Sequence, residues 1–425
     1  MLDVIFITLV VGIGGLFLAN FFSYCVLKRF SQKRWTPFLF ERITAAQLKQ
    51  VMPEETEEDI EKIVSSFSFS SSSQGGRFLL TYAPYTEHKD AAFASKFLNV
   101  TEKGVRLLDK NAEIKWEDKS LHNVFLFGGS TTLGYGVRDS DTIAAYLSQH
   151  LSTSDRRYQV INSGRQSYFS TLEVLAFQSF LQKDVSINTV IFIDGLNDVF
   201  HNCPFFRNRS RFSEIMEEKW EQISGQYKQW ENESFLQMTA HILKYCYSKM
   251  PLTALTQKAI QKISSELRSK SISVNDRMYE RWAQGHRMEF VNVEKVASDA
   301  ANLTNKNWDI TRGICQQLGI RPIFVLQPVY YVRMDTNKHL FVLKNEHPKW
   351  YEVYRCYYEL MIRQNTQKSD FLNLAGLFEH IKKCPFVDSH HYSPYGNRLI
   401  AESIGINIKE GQTNSDMCFA VPTPK

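Results

Sequence analysis

No C-x-x-C pair occurs among the seven cysteines of the 425-residue chain, so neither a zinc ribbon nor a thioredoxin-type motif is present. The bland expectation for those cysteines is buried free thiols. No internal repeat is present either. Charge of one sign is scarce, because 50 Lys and Arg against 45 Asp and Glu leave a net charge of only +5. That balance gives no electrostatic footprint for nucleic acid. Charge of any sign is missing from Val4 to Leu27. At about 1.5 Å per residue, a helix over that run exceeds the roughly 30 Å of a bilayer's hydrocarbon core. A basic n-region and a small-residue cleavage site, the marks of a cleaved leader, are both absent. The expectation is a single-pass membrane anchor over residues 1–27. Lys28, Arg29, Lys33 and Arg34 follow it and only Asp3 and the α-amino group precede it. By the positive-inside rule the larger part of the chain then lies on the cytoplasmic side.

What is present supports a sizeable core: 43% of residues are hydrophobic, enough for one large domain with insertions or for two domains. Residues 28–119 read as a membrane-proximal helical region and linker. In it Pro53 and "EETEEDIEKIV" put proline and acids in a first helical turn, and "SSFSFSSSSQGG" (65–76) is low-complexity. From about residue 120 the pattern changes. Short apolar runs at 123–127, 158–162, 189–194, 321–327 and 370–374 alternate with helical stretches such as 141–151 and 171–183. Continuous apolar strands separated by helices predict a mostly parallel sheet covered on both faces. Ligands of such sheets bind beyond the carboxyl ends of the strands. Residues 200–295, rich in aromatics and charge, read as a helical insertion over that edge, and 409–425 as a flexible tail.

The first strand runs into "FGGSTTLGYG" (127–136). Gly129 and Gly134 have phosphate-loop spacing, but Tyr135 and Gly136 stand where Lys and Ser or Thr are needed. A dinucleotide fingerprint started at Gly134 meets Asp139 in place of its third glycine. A serine on a glycine-flanked strand-to-helix turn is instead exposed at the sheet edge, its N–H placed to hold an oxyanion. Taken alone, the same residues read more readily as an ordinary β–α turn, with Gly and Ser supplying turn chemistry and a cap. The other strand ends carry Gly164 ("INSGRQSY"), then Gly195, Asn197 and Asp198 ("IDGLNDVF"). Near the C-terminus come Asp388 and His391 ("FVDSHHYSPYGN"). Ser393 as N-cap and Pro394 at the first helical position place that D-x-x-H pair on a loop.

These four blocks, in this order, resemble the SGNH (GDSL-type) hydrolase family over roughly residues 120–405, and "FLFGGSTTLGYGV" is similar to its membrane-anchored members. The resemblance implies a three-layer α/β/α sandwich with a five-stranded mostly parallel sheet, in a catalytic domain spanning 120–408. It implies Ser130 as nucleophile, His391 as base and Asp388 as the group orienting the imidazole. The oxyanion hole it implies consists of the N–H groups of Ser130 and Gly164 and the amide of Asn197. One residue departs from the pattern: Gly129 stands where many members carry aspartate.

The function implied is a serine esterase acting through an acyl-enzyme on an ester-bearing small molecule, glycan or lipid, with no cofactor and no metal. An O-acetyltransferase acting on a polysaccharide would use the same residues, and a non-catalytic member would keep the fold alone. Anchored relatives often face outward, against the charge bias. His390 reads as a rim residue, and Asp198 as a turn stabiliser. Cys203 and Cys384, each a few residues from a site block and each followed directly by proline, would pair only in an oxidising compartment.

Overall fold

The five apolar runs become five parallel strands, and burial of most residues of the first four on both faces explains why they show no alternation. In the computed structural model, residues 44–67, 80–152, 157–183, 185–202, 292–332 and 348–415 are described. All of them belong to one compact unit formed by 37–69, 76–213 and 279–425. The expected anchor, the core of the insertion and the end of the tail lie outside the described residues. No helix among the described residues is long and apolar enough to cross a membrane.

The chain enters through two short helices, α1 (Ala45–Leu48) and α2 (Glu57–Ser66). The start of α2 is set by Thr56, whose hydroxyl accepts the Asp59 N–H, with Glu57, Glu58 and Asp59 in the first turn. The acids favour the helix dipole as expected, but the cap is Thr56 and Pro53 lies outside the helix. Two antiparallel pairs follow, β1 (Leu80–Ala83) with β2 (Glu87–Asp90) and β3 (Phe93–Ala94) with β4 (Asn99–Val100). The stretch 28–119, expected as a helical region and linker, also contains strands, and its described part belongs to the same unit as the sheet.

The alternation begins with β5 (His122–Gly128), α3 (Ser130–Leu133), α4 (Ile143–Leu151) and β6 (Tyr158–Asn162). It continues through α5 (Ser170–Leu181), β7 (Thr189–Asp194), α6 (Leu196–Asn202), α7 (Val293–Leu318) and β8 (Arg321–Leu326). It closes with α8 (Pro348–Asn365), β9 (Phe371–Asn373) and α9 (Pro394–Ser415). The helix of α9 runs on to Ser415, past the point where a loose tail is expected.

The sheet order is β6-β5-β7-β8-β9, with all four pairings parallel. Helices α4 and α9 pack together on one face, while α7 packs with α5, α6 and α8 on the other. On the second face Phe127, Phe192 and Phe324 sit in register on β5, β7 and β8, with ring centroids 5.1 and 5.8 Å apart. Phe177 of α5 and Trp308 of α7 close over that ladder. Offset and edge contacts of this kind add to the burial of large apolar surfaces. The chain leaves β5 toward β6 on one side and returns to β7 on the other, which makes the carboxyl ends of β5 and β7 the switch point where a crevice forms.

Candidate active site

Ser130 is the first residue of α3, directly beyond β5, and it is half-buried. The four-residue helix is held at its far end rather than by its own length. Gly134 caps it in a left-handed conformation (φ +87), which costs a glycine little. Its terminal carbonyls, which no helix can satisfy internally, are met by a buried guanidinium. Arg106 donates to Leu133 O at 3.0 Å, Gly134 O at 2.6 Å and Val137 O at 2.7 Å, and pairs with Asp139 at 2.8 Å. Asn162, at the end of β6, adds a bond from Nδ2 to Thr132 O at 3.1 Å.

Asp388 and His391 lie on the loop before α9, where Ser393 Oγ accepts the Gly396 N–H and stops the helix from reaching back. The Asp388 carboxylate accepts three N–H groups: His390 N at 2.8 Å, His391 N at 2.7 Å and His391 Nδ1 at 2.7 Å. Burial pushes this carboxyl up, but the charge and hydrogen bonds of His391, with His390, more than offset it and hold it at about 2. An ionised carboxylate only accepts, so the imidazole carries its proton on Nδ1 and presents a lone pair at Nε2. That lone pair lies 2.8 Å from Ser130 Oγ. The structure thus brings Ser130, His391 and Asp388, 261 positions apart in sequence for the first pair, into one hydrogen-bonded chain.

The residues expected to supply oxyanion donors divide. The Ser130 N–H is at a helix N-terminus, where no intrahelical partner exists. Asn197 follows β7, and its Nδ2 gives one hydrogen to Tyr168 O at 2.7 Å, leaving the second. Gly164 is placed differently: its N–H donates to Asn162 Oδ1 at 3.0 Å, and its Cα packs against Thr132 and Leu133 beneath α3. The structure therefore does not direct the Gly164 N–H at Ser130.

The turn carrying Asn197 is fixed from behind by Asp198, which accepts Ser170 N at 3.1 Å and Gly195 N at 3.3 Å. Beneath it Glu173 and Asp194 face each other in the core. Burial, and then the neighbouring carboxylates, push Glu173 well above the usual range, while burial and Asp198 push Asp194 to about 8.

Gly129 now has a physical reason. A Cβ built on it would lie 2.4 Å from Asn197 Nδ2 and 3.0 Å from Tyr168 O. The space an aspartate would take in this block is filled by the Asn197 amide. Gly129→Ala is expected to displace that amide and lower kcat by about 10²-fold with little change in KM, as losing one oxyanion donor does. Steady-state kinetics check it, and a kcat within twofold of wild type would show that Asn197 donates nothing to the reaction.

Several contributors escape sequence reasoning. The β1–β2 hairpin holds the loop after β6: His88 Nε2 meets Gln166 O at 2.8 Å, and Gln166 Nε2 donates to Asp90 at 3.0 Å. The Tyr168 hydroxyl donates to His88 O, so the carbonyl that positions Asn197 is braced by residues far upstream. Gln327 at the end of β8 accepts from both Thr131 of α3 and Tyr392 beside His391, each at 2.9 Å. Tyr135, noticed in the sequence only as a missing lysine, stacks on the His391 ring with centroids 4.4 Å apart. His390 meets Tyr331 Oη at 2.8 Å through Nε2, away from Ser130. Cys384 Sγ donates to Phe386 O at 3.6 Å; its suggested partner Cys203 lies outside the described residues. No group of three or more His, Cys, Asp or Glu suited to a metal occurs among the described residues.

A parallel five-stranded sheet with a serine, a histidine and an aspartate joined at its carboxyl edge defines the class of α/β hydrolases with an activated hydroxyl. The profile of the family described as GDSL-like Lipase/Acylhydrolase matches residues 124–404. The chain belongs to this family of GDSL/SGNH ester hydrolases. No curated protein matches it. Among solved structures, an acetyl xylan esterase, AlAXEase, aligns at 14% identity over 66% of this chain and 97% of its own, with a TM-score of 0.33. Est24, a carbohydrate acetylesterase from Sinorhizobium meliloti, aligns at 12% identity over 68% of this chain and 99% of its own, TM-score 0.34. A member of the lipolytic protein G-D-S-L family from Veillonella parvula DSM 2008 aligns at 12% identity over 66% and 95%, TM-score 0.31.

Proposed function

We propose that the protein is a serine esterase that cleaves an acyl or acetyl ester of a glycan or lipid through an acyl-enzyme on Ser130. The observation that carries the reading is the chain from Ser130 Oγ through His391 to Asp388, at 2.8 and 2.7 Å. Ser130 Oγ attacks the ester carbonyl as its proton passes to His391 Nε2, and Asp388 stabilises the imidazolium. The tetrahedral oxyanion lies against the Ser130 N–H and the second N–H of Asn197. Collapse breaks the ester C–O bond, and the leaving oxygen takes the proton from His391 and departs as an alcohol. Water then attacks the acyl-enzyme, gives its proton to His391, and the acid leaves with Ser130 restored. The direct test is to quench turnover of an aryl acetate in acid and weigh the protein. A mass increase of one acetyl group, lost in Ser130→Ala, is expected. Turnover without any acyl-protein would contradict the reading. Adding sugar acceptors to the same assay separates transfer to a hydroxyl from hydrolysis.

We further propose that Val4–Leu27 anchors the protein in a membrane, with the hydrolase on the cytoplasmic side. The support is the uncharged apolar run and the four basic residues that follow it. The full-length chain is expected to stay in the membrane fraction after carbonate washing, while the chain without residues 1–27 is released. Release of the full-length chain by carbonate would refute the anchor.

A further inference from the structure

The entry helices are not spectators of the site. Helix α2 ends at Phe67, whose ring lies 4.6 Å from that of Tyr135, at a 46° tilt. The Tyr135 hydroxyl donates to the Phe67 carbonyl at 3.0 Å, one of the C-terminal carbonyls that a helix leaves without an internal partner. Tyr135 also stacks on the His391 imidazole, 4.4 Å between centroids and 28° between planes. The buried Tyr135 ring thus touches both others, tilted against Phe67 and stacked on His391.

The same helices have their own apolar core. Leu48 of α1 and Ile60, Ile63 and Val64 of α2 cluster with Leu133, Tyr135 and Val137, and with Val387 next to Asp388. One small core therefore joins α1 and α2 to the nucleophile helix and to the loop bearing Asp388 and His391. Glu55 adds an ion pair to Arg138 at 2.9 Å.

What this arrangement supplies follows from the imidazole's own freedom. Asp388 fixes Nδ1 within the plane of the ring, but one hydrogen bond does not prevent the ring from tilting out of that plane. A tilt moves Nε2 away from Ser130 Oγ, and proton transfer in the transition state depends on that alignment. A flat, buried surface against the ring face opposes the tilt, provided the surface itself is fixed. Tyr135 is fixed by a ring contact and by a hydrogen bond at its tip, both from Phe67.

We propose that Phe67 and Tyr135 are positioning residues, through which docking of the α1–α2 segment holds His391 in line with Ser130 and so sets the catalytic rate. The proposal rests on the Ser130–His391 reading above. It also gives residues 44–67 a role beyond spanning the distance from the proposed anchor to the sheet, because undocking them releases the base.

The test uses the full-length protein, with active sites titrated by a fluorophosphonate so that kcat is counted per competent site. A merely structural role lowers the number of titratable sites but leaves kcat per site, and its pH profile, as in wild type. Phe67→Ala is expected to lower kcat per titrated site by about tenfold, with KM within twofold and the acid limb of the kcat profile displaced. Lys295→Ala, which removes an exposed ion pair to Asp299 within α7, serves as the control and is expected to leave all three unchanged. If Phe67→Ala gives no titratable protein, Tyr135→Phe decides, since it keeps the stacked ring and deletes the hydroxyl that bonds the Phe67 carbonyl. For it a two- to fivefold loss per site is expected, roughly the worth of one hydrogen bond. Wild-type kcat per site and an unmoved acid limb in the deciding variant overturn the proposal. Activity persisting in Ser130→Ala would instead overturn the reading beneath it, so the two failures are distinct.

Discussion

Ser130→Ala is expected to lower ester turnover by at least about 10⁴-fold while leaving the protein folded. The size of the loss follows from what Ser130 does in the proposed mechanism: it forms the covalent intermediate, and alanine has no group to acylate. The retained fold follows from what it does not do. Its side chain is half-buried, and its described side-chain bond is the one to His391. Helix α3 is held by Arg106, Asn162 and Gly134. Loss of one hydrogen bond is worth about 1 kcal/mol, so a melting temperature within a few degrees of wild type is expected. His391→Ala should cost as much activity, and the double variant little more, because residues acting as one unit do not add. Kinetics on an aryl ester beside thermal melts check all three. A folded Ser130→Ala protein that still turns over ester refutes the nucleophile.

Asp388→Asn is the second large effect, expected at about 10⁴-fold in kcat. Asp388 Oδ1 accepts both backbone N–H groups of His390 and His391, and Oδ2 accepts His391 Nδ1–H. An asparagine that keeps its oxygen on the two backbone donors must turn its NH₂ toward Nδ1. That drives the imidazole into the other tautomer, with the proton on Nε2 facing Ser130, where it accepts nothing. Stability changes as well, with a definite sign. The Asp388 carboxyl lies below its unfolded value of 3.8, at about 2 in the folded protein. Its contribution is therefore complete above about pH 4 and lost as pH falls through about 2, worth up to about 2 kcal/mol. Melting temperature followed from pH 6 down to pH 2 should fall more steeply in wild type than in Asp388→Asn. Parallel curves would show that the carboxylate makes no favourable contacts in the fold.

The strands were legible because each is a short apolar run bounded by polar turns, largely buried in all but the edge strand β9, and the observed limits of β5 to β9 fall within two residues of the runs. The constellation was legible where its residues lie in local motifs at the sheet edge, as with Ser130, Asn197, Asp388 and His391. Gly164 shows the limit of that reading. Its position after β6 is right for a donor, but the acceptor that takes its N–H is Asn162 two residues earlier, and such a choice leaves no trace in spacing. Gly129 shows the converse. In sequence it is a departure from the family block, and only the Asn197 amide beside it explains the missing side chain. Tyr135, Phe67 and the β1–β2 hairpin were not legible at all. Their contacts to the site span long stretches of chain, and a ring against a ring carries no periodicity or motif.

The most direct test of the central claim is to treat the purified full-length protein with a fluorophosphonate and map the adduct by peptide mass spectrometry. One adduct per chain is expected, on Ser130, with ester turnover lost in step with labelling and no labelling in Ser130→Ala. An adduct on another residue, or ester turnover that continues after Ser130 is fully modified, would contradict the account.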